Sequence, residues 1–187
     1  MILMDAVVIT GTPGSGKSTI SGKVASRLRG SGLIHINELV RSRHLFSSRA
    51  KDGTMIVRMK ALEAEIGRIL KGGRGRTMIL DGHLLCDMQI RKATAIVIRE
   101  HLPVLRRRLE KRGYAERKVM DNLVSEALDY CGEHASLNYG RVFELFNTRE
   151  APGEIIRIIR SGRGRQARPD LLPELEALLK QRGLGGI

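Results

Sequence analysis

The stretch VVITGTPGSGKSTI, residues 7–20, decides which fold this chain is expected to adopt. Its first residues are apolar and β-branched, and Gly11 to Ser18 fit the pattern G-x-x-x-x-G-K-[ST]. Glycines let the backbone approach a phosphate group, and the positive end of the following helix points at it. In this pattern Lys17 reaches the β- and γ-phosphates of a nucleotide, and the Ser18 hydroxyl is a direct Mg²⁺ ligand. An ordinary glycine-rich turn between strand and helix is the alternative.

The composition indicates a globular and basic protein. Hydrophobic residues make up 42% of the 187, and the formal net charge is +13. That charge indicates a polyanionic partner such as a nucleotide, RNA or an RNA-bound protein, with a generally basic proteome as the alternative. Cys86 and Cys131 are far apart in the sequence and lack metal-ligand spacing, which favours a reducing compartment. We expect no signal peptide, no membrane span and a cytoplasmic location, or a nuclear one in a eukaryote.

Strand and helix patterns alternate along the chain, which predicts an α/β fold with a five-stranded parallel sheet flanked by helices. The segment 47–54 is predicted to be loop, and a long helix is predicted from Val119 to Cys131. The predicted strands are 5–10, 32–36, 77–83, 93–100 and 141–148, and the other predicted helices are 17–29, 37–46, 57–71, one around Leu102, Leu105 and Leu109, and 152–160.

An acid that ends a strand is the second element a phosphate-binding loop requires. Asp81 closes the strand TMILD and is placed to hold Mg²⁺ through water. His83 follows two residues later and could orient a water or a hydroxyl group. The alternatives are a strand-end turn former for Asp81 and a packed or surface histidine for His83.

An arginine-rich helix leads into a short polar loop. Arg108 and Arg112 are four residues apart, so they share a helical face, and Arg112 opens the loop RGY. Arginines on a movable lid neutralise the migrating phosphoryl group and exclude water when the lid closes. A solvated basic face is the alternative.

The order of these motifs resembles the nucleoside monophosphate kinases. It is most similar to the adenylate kinase isoenzyme six branch, also known as coilin-interacting nuclear ATPase proteins, and to its archaeal relatives. The resemblance covers residues 4 to about 160 and rests on TGTPGSGKST, on Asp81-x-His83, and on RLEKRGYAERKVMDNLVSEAL, which opens a very short lid.

The resemblance implies transfer of a phosphoryl group from Mg-ATP to AMP, giving two ADP, together with a slow ATPase. It implies a role in small ribosomal subunit maturation through a ribosomal protein, in the neighbourhood of ribosomal RNA. Arg112 would bind ATP from the lid. The resemblance supports an ATP-binding role less strongly for Arg108 and residues 116–118. By position, the ATP phosphates would be held by Gly14, Ser15, Gly16, Lys17, Ser18 and Thr19, and the catalytic residues would be Lys17, Asp81, His83 and Arg112.

The acceptor region, about 35–58, departs from the family pattern. Family members carry an acidic stretch there, whereas this chain has Arg49, Lys51 and Arg58, and only Asp52 and Gly53 match. The pocket that selects AMP is therefore altered, while the ATP site is intact. An acceptor phosphate could be gripped by Arg41 or Arg43, between which the sequence does not choose.

Residues 1–160 are predicted to form the kinase domain, with the lid at about 111–121, and 161–187 a basic linker and an amphipathic tail. The tail could be a flexible arm or a helix, and we hypothesise that it binds a partner, because it follows a linker that carries Arg163, Arg165 and Arg168. Two other functions remain open: an ATPase-driven ribosome assembly factor with little AMP kinase activity, and a kinase for another nucleoside monophosphate or for shikimate.

Overall fold

The protein, seen in a computed structural model, is described over residues 6–50, 53–73, 75–164 and 169–181. Its strands are β1 Ala6–Thr10, β2 Gly32–His35, β3 Phe46–Arg49, β4 Met55–Val57, β5 Met78–Asp81, β6 Ala93–Arg99 and β7 Val142–Phe146. Five of them form a parallel sheet in the order β2-β5-β1-β6-β7. The predicted α/β fold with five parallel strands is confirmed.

Helices cover both faces of the sheet. They are α1 Lys17–Arg27, α2 Ile36–Ser42, α3 Met59–Gly72, α4 Leu102–Lys111, α5 Glu116–Ala127, α6 Tyr130–Asn138, α7 Ala151–Ser161 and α8 Leu172–Lys180. One apolar cluster joins the sheet to α2, α3 and α6, and a second joins it to α1 and α7. Because both faces are covered, β1 is buried at all five positions. In the described part of the chain no helix is both long and apolar enough to cross a bilayer.

Two predictions about local structure were wrong. The segment 47–54, expected to be loop, lies within the antiparallel hairpin β3–β4, in which Phe46 and Val57, both expected to be helical, pair with each other. The helix expected from Val119 to Cys131 is broken at Asp129, which has a φ of 54°. The Asp129 side chain accepts a hydrogen bond from the Gly132 amide at 3.2 Å and so caps α6. Because the helix breaks at this point, the Asp129 carboxylate turns inward after the end of α5.

The C-terminal helix α8 packs on the domain. Leu171 and Leu178 are buried in a third cluster with Leu102, Leu105 and Leu109 of α4. Glu174 anchors the contact, because its Oε2 accepts the Leu102 amide at 2.8 Å and its Oε1 lies 2.6 Å from Nδ1 of His101. The apolar face of this segment is therefore used inside the domain, against the hypothesis of a free partner-binding helix. Arg165 and Arg168 of the linker lie outside the described residues.

Candidate active site

The phosphate-binding loop connects β1 to α1 with the backbone that its glycines permit. Gly11 has a φ of 140° and Gly16 a φ of 93°, and a Cβ on Gly16 would collide with the amide of Asn147. Lys17 opens α1 and is 7% exposed, with Nζ 3.3 Å from the Thr12 carbonyl oxygen. Burial lowers the pKa of Lys17, whereas Asp81 opposes that shift and Arg112 adds to it.

Asp81 ends β5 beside the loop and accepts three side-chain contacts. Its Oδ1 accepts the Ser18 hydroxyl at 3.1 Å, and its Oδ2 accepts the Ser21 hydroxyl at 2.9 Å. Nδ1 of His35, at the end of β2, lies 2.6 Å from Oδ2. Parallel strands end at one edge, so β1, β2 and β5 deliver the loop, His35 and Asp81 to the same place. His35 was missed in the sequence, although its position at a strand end is a usable signal.

A divalent cation fits this pair of groups by donor chemistry. Mg²⁺ prefers hard oxygen ligands and takes few from the protein, keeping water and phosphate oxygens for the rest. The Ser18 hydroxyl and the Asp81 carboxylate supply such oxygens side by side. Among the described residues, no cluster of three His, Cys, Asp or Glu side chains forms a dedicated metal cage.

Three side chains from distant segments hold the loop. Thr12 donates its hydroxyl hydrogen to Glu126, Arg108 donates to the Gly14 carbonyl at 3.2 Å, and Asn147 donates to the Ser15 carbonyl at 2.8 Å. Arg108 also pairs with Glu100 at 2.7 Å. Arg108 therefore supports the loop from behind and does not line the cleft described below.

A buried ion network lies behind these contacts. Arg99 is 1% exposed and binds Glu126 through Nε at 3.1 Å, Glu144 through Nη1 at 2.9 Å, and Asp129. Although burial disfavours its charge, Glu126 and Asp129 raise the pKa of Arg99. Burial raises the pKa of Asp129, and Arg99 opposes that shift. The sequence offered no signal for this network.

A cleft of about 590 Å³ opens over the loop. Ser15 is the one predicted phosphate-binding residue that does not line it, since its side chain is fully buried. The cleft is lined by Pro13, Gly14, Gly16, Lys17, Ser18, Thr19, His35, Asn37, Glu38, Arg41, Asp81, Gly82, His83, Arg112 and Tyr114. The structure thus brings Lys17, Asp81, His83 and Arg112 to one space.

His83 faces the cleft as a neutral ring. Burial, aided by the charge of Lys17, lowers the pKa of His83 to about 4. Its carbonyl oxygen accepts the Thr10 hydroxyl at 3.3 Å and the Cys86 thiol at 3.1 Å, which fixes the backbone at this point. A neutral imidazole there can accept a hydrogen bond from a water or hydroxyl group.

The segment 111–121, predicted as the lid, contains a short loop between two helices. Only residues 112–115 form a loop, and residues 116–118 begin α5. Arg112 and Tyr114 line the cleft, whereas Nζ of Lys118 donates to the Thr54 hydroxyl at 2.8 Å. The start of α5 thereby contacts the β3–β4 hairpin of the acceptor region.

The acceptor region separates the two candidate arginines. Arg41 lines the cleft, whereas Nε of Arg43 lies 3.5 Å from Glu65. Arg49 stacks over Phe46, and Arg58 donates to the His44 carbonyl at 2.7 Å. Lys51 and Asp52 lie outside the described residues. Asn37 and Glu38, which the sequence did not single out, join Arg41 on the cleft wall.

The two cysteines, distant in sequence, are neighbours in the fold. Their Sγ atoms lie 3.6 Å apart, and both thiols are free and buried. The hydrogen bond to Cys131 lowers the pKa of Cys86, and the same bond together with burial raises the pKa of Cys131.

Comparison with known proteins places this geometry in a family. Residues 7–129 match the family described as AAA domain. A protein described as "Putative adenylate kinase" from Methanothermobacter thermautotrophicus is 39% identical over 156 residues, covering 82% of this chain and 86% of its own. One of the same description from Methanosarcina acetivorans is 32% identical over 165 residues, covering 82% and 85%. The crystal structure of shikimate kinase from Bacteroides thetaiotaomicron superposes with a TM-score of 0.56 at 16% identity, covering 83% and 95%.

Proposed function

We propose, from the premise that this chain belongs to the AAA-domain family of P-loop proteins together with those archaeal relatives, that it is an adenylate kinase. The reaction is transfer of the γ-phosphoryl group of Mg-ATP to AMP, which yields two ADP. The two archaeal relatives are described as "Putative adenylate kinase", and the proposal extends that activity to this chain.

One observation carries the proposal. Lys17, Arg41 and Arg112 come from three separate elements and line a single cleft of about 590 Å³. A single phosphate-binding loop needs only the first of these cations. Two further cations, carried by separate elements that line the same cleft, suit a second phosphate-bearing substrate held in line with the first.

The chain's own residues would act by positioning and by charge. Loop amides and Lys17 would hold the β- and γ-phosphates, and Arg112 would neutralise charge on the migrating group. Ser18 and Asp81 would hold Mg²⁺, which supplies charge neutralisation at the phosphates when bound. Arg41, with Asn37 and Glu38 beside it, would orient AMP. No side chain has to become covalently modified.

A second candidate is an ATPase linked to ribosome assembly. Neutral His83 beside Asp81 is suited to orient a water, so a slow transfer of the phosphoryl group to water would accompany the kinase reaction. The adenylate kinase isoenzyme six resemblance and the charge of +13 support a partner in the small ribosomal subunit, a ribosomal protein with its RNA neighbourhood. A cytoplasmic location, or a nuclear one in a eukaryote, stays a prediction.

The test separates these acceptors by product stoichiometry. Purified protein is incubated with Mg-ATP alone and with AMP, CMP, GMP or UMP, and the nucleotides are separated by chromatography. The proposal expects two ADP for each ATP consumed with AMP, and much slower ADP formation without it. A preference for another nucleoside monophosphate would replace AMP as the acceptor.

A further inference from the structure

A second concave site lies at the amino ends of the strands, opposite the carboxyl ends that carry the active site. Its volume is about 450 Å³, and it is lined by the cations Lys71, Arg76, Arg91 and Lys92 together with Ala6, Leu70, Gly73 and Gly75. We call it the basic cleft. Ala6 begins β1 and Thr10 ends it, so the two sites are separated by about 13 Å along the strand, at roughly 3.3 Å per residue.

Two tight turns place three of the four cations. The Arg76 amide donates to the Gly73 carbonyl at 3.1 Å, and the Ala93 amide donates to the Ile90 carbonyl at 3.1 Å. Lys92 sits in the second turn with a φ of 61°, a left-handed conformation that is uncommon for lysine. The turns immediately precede β5 and β6, so the rigid sheet fixes where Arg76, Arg91 and Lys92 emerge.

The side chains of these four cations take no part in the contacts of the described domain. All four are exposed, and among the described residues none of them makes an ion pair or a side-chain hydrogen bond. Some arginines elsewhere are paired, such as Arg106 with Glu110 and Arg157 with Glu154. No acidic side chain of the described residues lines the basic cleft. Four cations without a partner among the described residues create a positive potential that an external anion can neutralise.

We propose that the basic cleft binds the phosphate backbone of RNA. Its cations come from the end of α3 and from two separate turns, so they can contact successive phosphates of one strand, whereas a nucleoside monophosphate carries only one phosphate group. Ala6 and Leu70 add apolar side chains to the lining, which suits contact with a sugar or a base. The proposal does not depend on the proposed phosphoryl transfer, since no residue of the active site takes part.

The test is fluorescence anisotropy with a labelled single-stranded RNA of about 20 nucleotides, titrated at several salt concentrations. The variant Lys71→Gln/Arg76→Gln/Arg91→Gln/Lys92→Asn removes the four cations, with asparagine chosen because it tolerates the left-handed conformation. The control Lys23→Gln/Arg27→Gln/Arg29→Gln/Arg160→Gln removes the same charge from exposed positions on α1, the loop after it and α7. Melting temperature and AMP-dependent ADP formation are measured on both.

The basic-cleft variant should bind at least about tenfold more weakly near 100 mM KCl, and its log K against log salt slope should be less negative by about 2–3. The control should change affinity less than about threefold, and ADP formation should be unchanged in both. Equal weakening in the two variants would show that only net charge matters, and would overturn the proposal. Displacement of RNA by excess Mg-ATP, or no binding by the unmodified protein, would overturn it as well. Absence of AMP-dependent ADP formation by the unmodified protein would contradict the proposed kinase activity and leave the RNA-binding proposal standing.

Discussion

The Thr12 hydroxyl donates to Oε2 of Glu126, whose Oε1 accepts both Nε of Arg99 and the Glu100 amide. One carboxylate therefore joins the phosphate-binding loop to a buried guanidinium on β6. Thr12 and Glu126 are 114 residues apart in the chain. The loop's position thus depends on the packing of α5 against the sheet as well as on its own glycines.

Glu126→Gln should lower both stability and activity. The amide keeps the size of the side chain but removes one negative charge from Arg99 and one acceptor from Thr12 or Glu100, which should cost about 1–3 kcal/mol of unfolding free energy. Urea denaturation followed by circular dichroism measures it, with Glu63→Gln on the exposed face of α3 as the control. Equal stability of the two variants would mean that the network does not hold the loop.

Lys17→Ala should abolish phosphoryl transfer while the fold survives. Among the described residues Nζ of Lys17 makes one hydrogen bond, to the Thr12 carbonyl oxygen, so little stabilising contact is lost. Removal of a buried charge offsets part of that loss. We expect kcat to fall by about 10²–10³-fold or more. Lys23→Ala, on the exposed side of the same helix, should leave kcat unchanged. Transfer retained in Lys17→Ala would remove the phosphate loop from the mechanism.

Arg41→Ala and Arg43→Ala should have different kinetic effects. Arg41 faces the cleft and Arg43 faces Glu65, so only the first should raise KM for AMP, by about tenfold or more, with KM for ATP little changed. Initial rates at varied AMP and saturating ATP measure this. A larger rise in KM for AMP in Arg43→Ala than in Arg41→Ala would contradict the assignment of the acceptor phosphate to Arg41.

Leu178→Ala should destabilise the domain by about 2–3 kcal/mol, because the Leu178 side chain of α8 is buried against α4 and α5. Leu172→Ala, on the same helix, removes a side chain that is 45% exposed and should cost far less. Thermal unfolding of both variants distinguishes them. Similar melting temperatures would indicate that α8 leaves the domain in solution and is free for a partner.

The sequence predicted those parts of the fold and of the site that depend on local residue patterns. Five apolar, β-branched runs identified the five strands of the sheet, and the glycine pattern with the acid at a strand end identified Lys17, Ser18 and Asp81 as neighbours. The β3–β4 hairpin was missed because FSSR carries no apolar alternation. Helix periodicity ran through Asp129, since nothing local shows that its carboxylate would turn toward Arg99.

Long-range contacts account for the rest. Cys86 and Cys131 meet because α6 packs on the short 3₁₀ helix His83–Asp87, and that approach is a property of the assembled layers. Asn147 reaches the Ser15 carbonyl only when β7 lies at the sheet edge beside β6. His35 is different in kind, because the rule that strand ends meet at one edge would have placed it beside Asp81.

Tracing the γ-phosphate of ATP tests most directly whether AMP is the phosphoryl acceptor. ATP labelled with ³²P at the γ-position is incubated with Mg²⁺, AMP and the protein, and the products of early time points are separated. The account predicts label in the β-phosphate of ADP, at a rate that Arg41→Ala reduces and Arg43→Ala does not. Label released as inorganic phosphate at a rate independent of AMP would contradict it, since water would then be the acceptor.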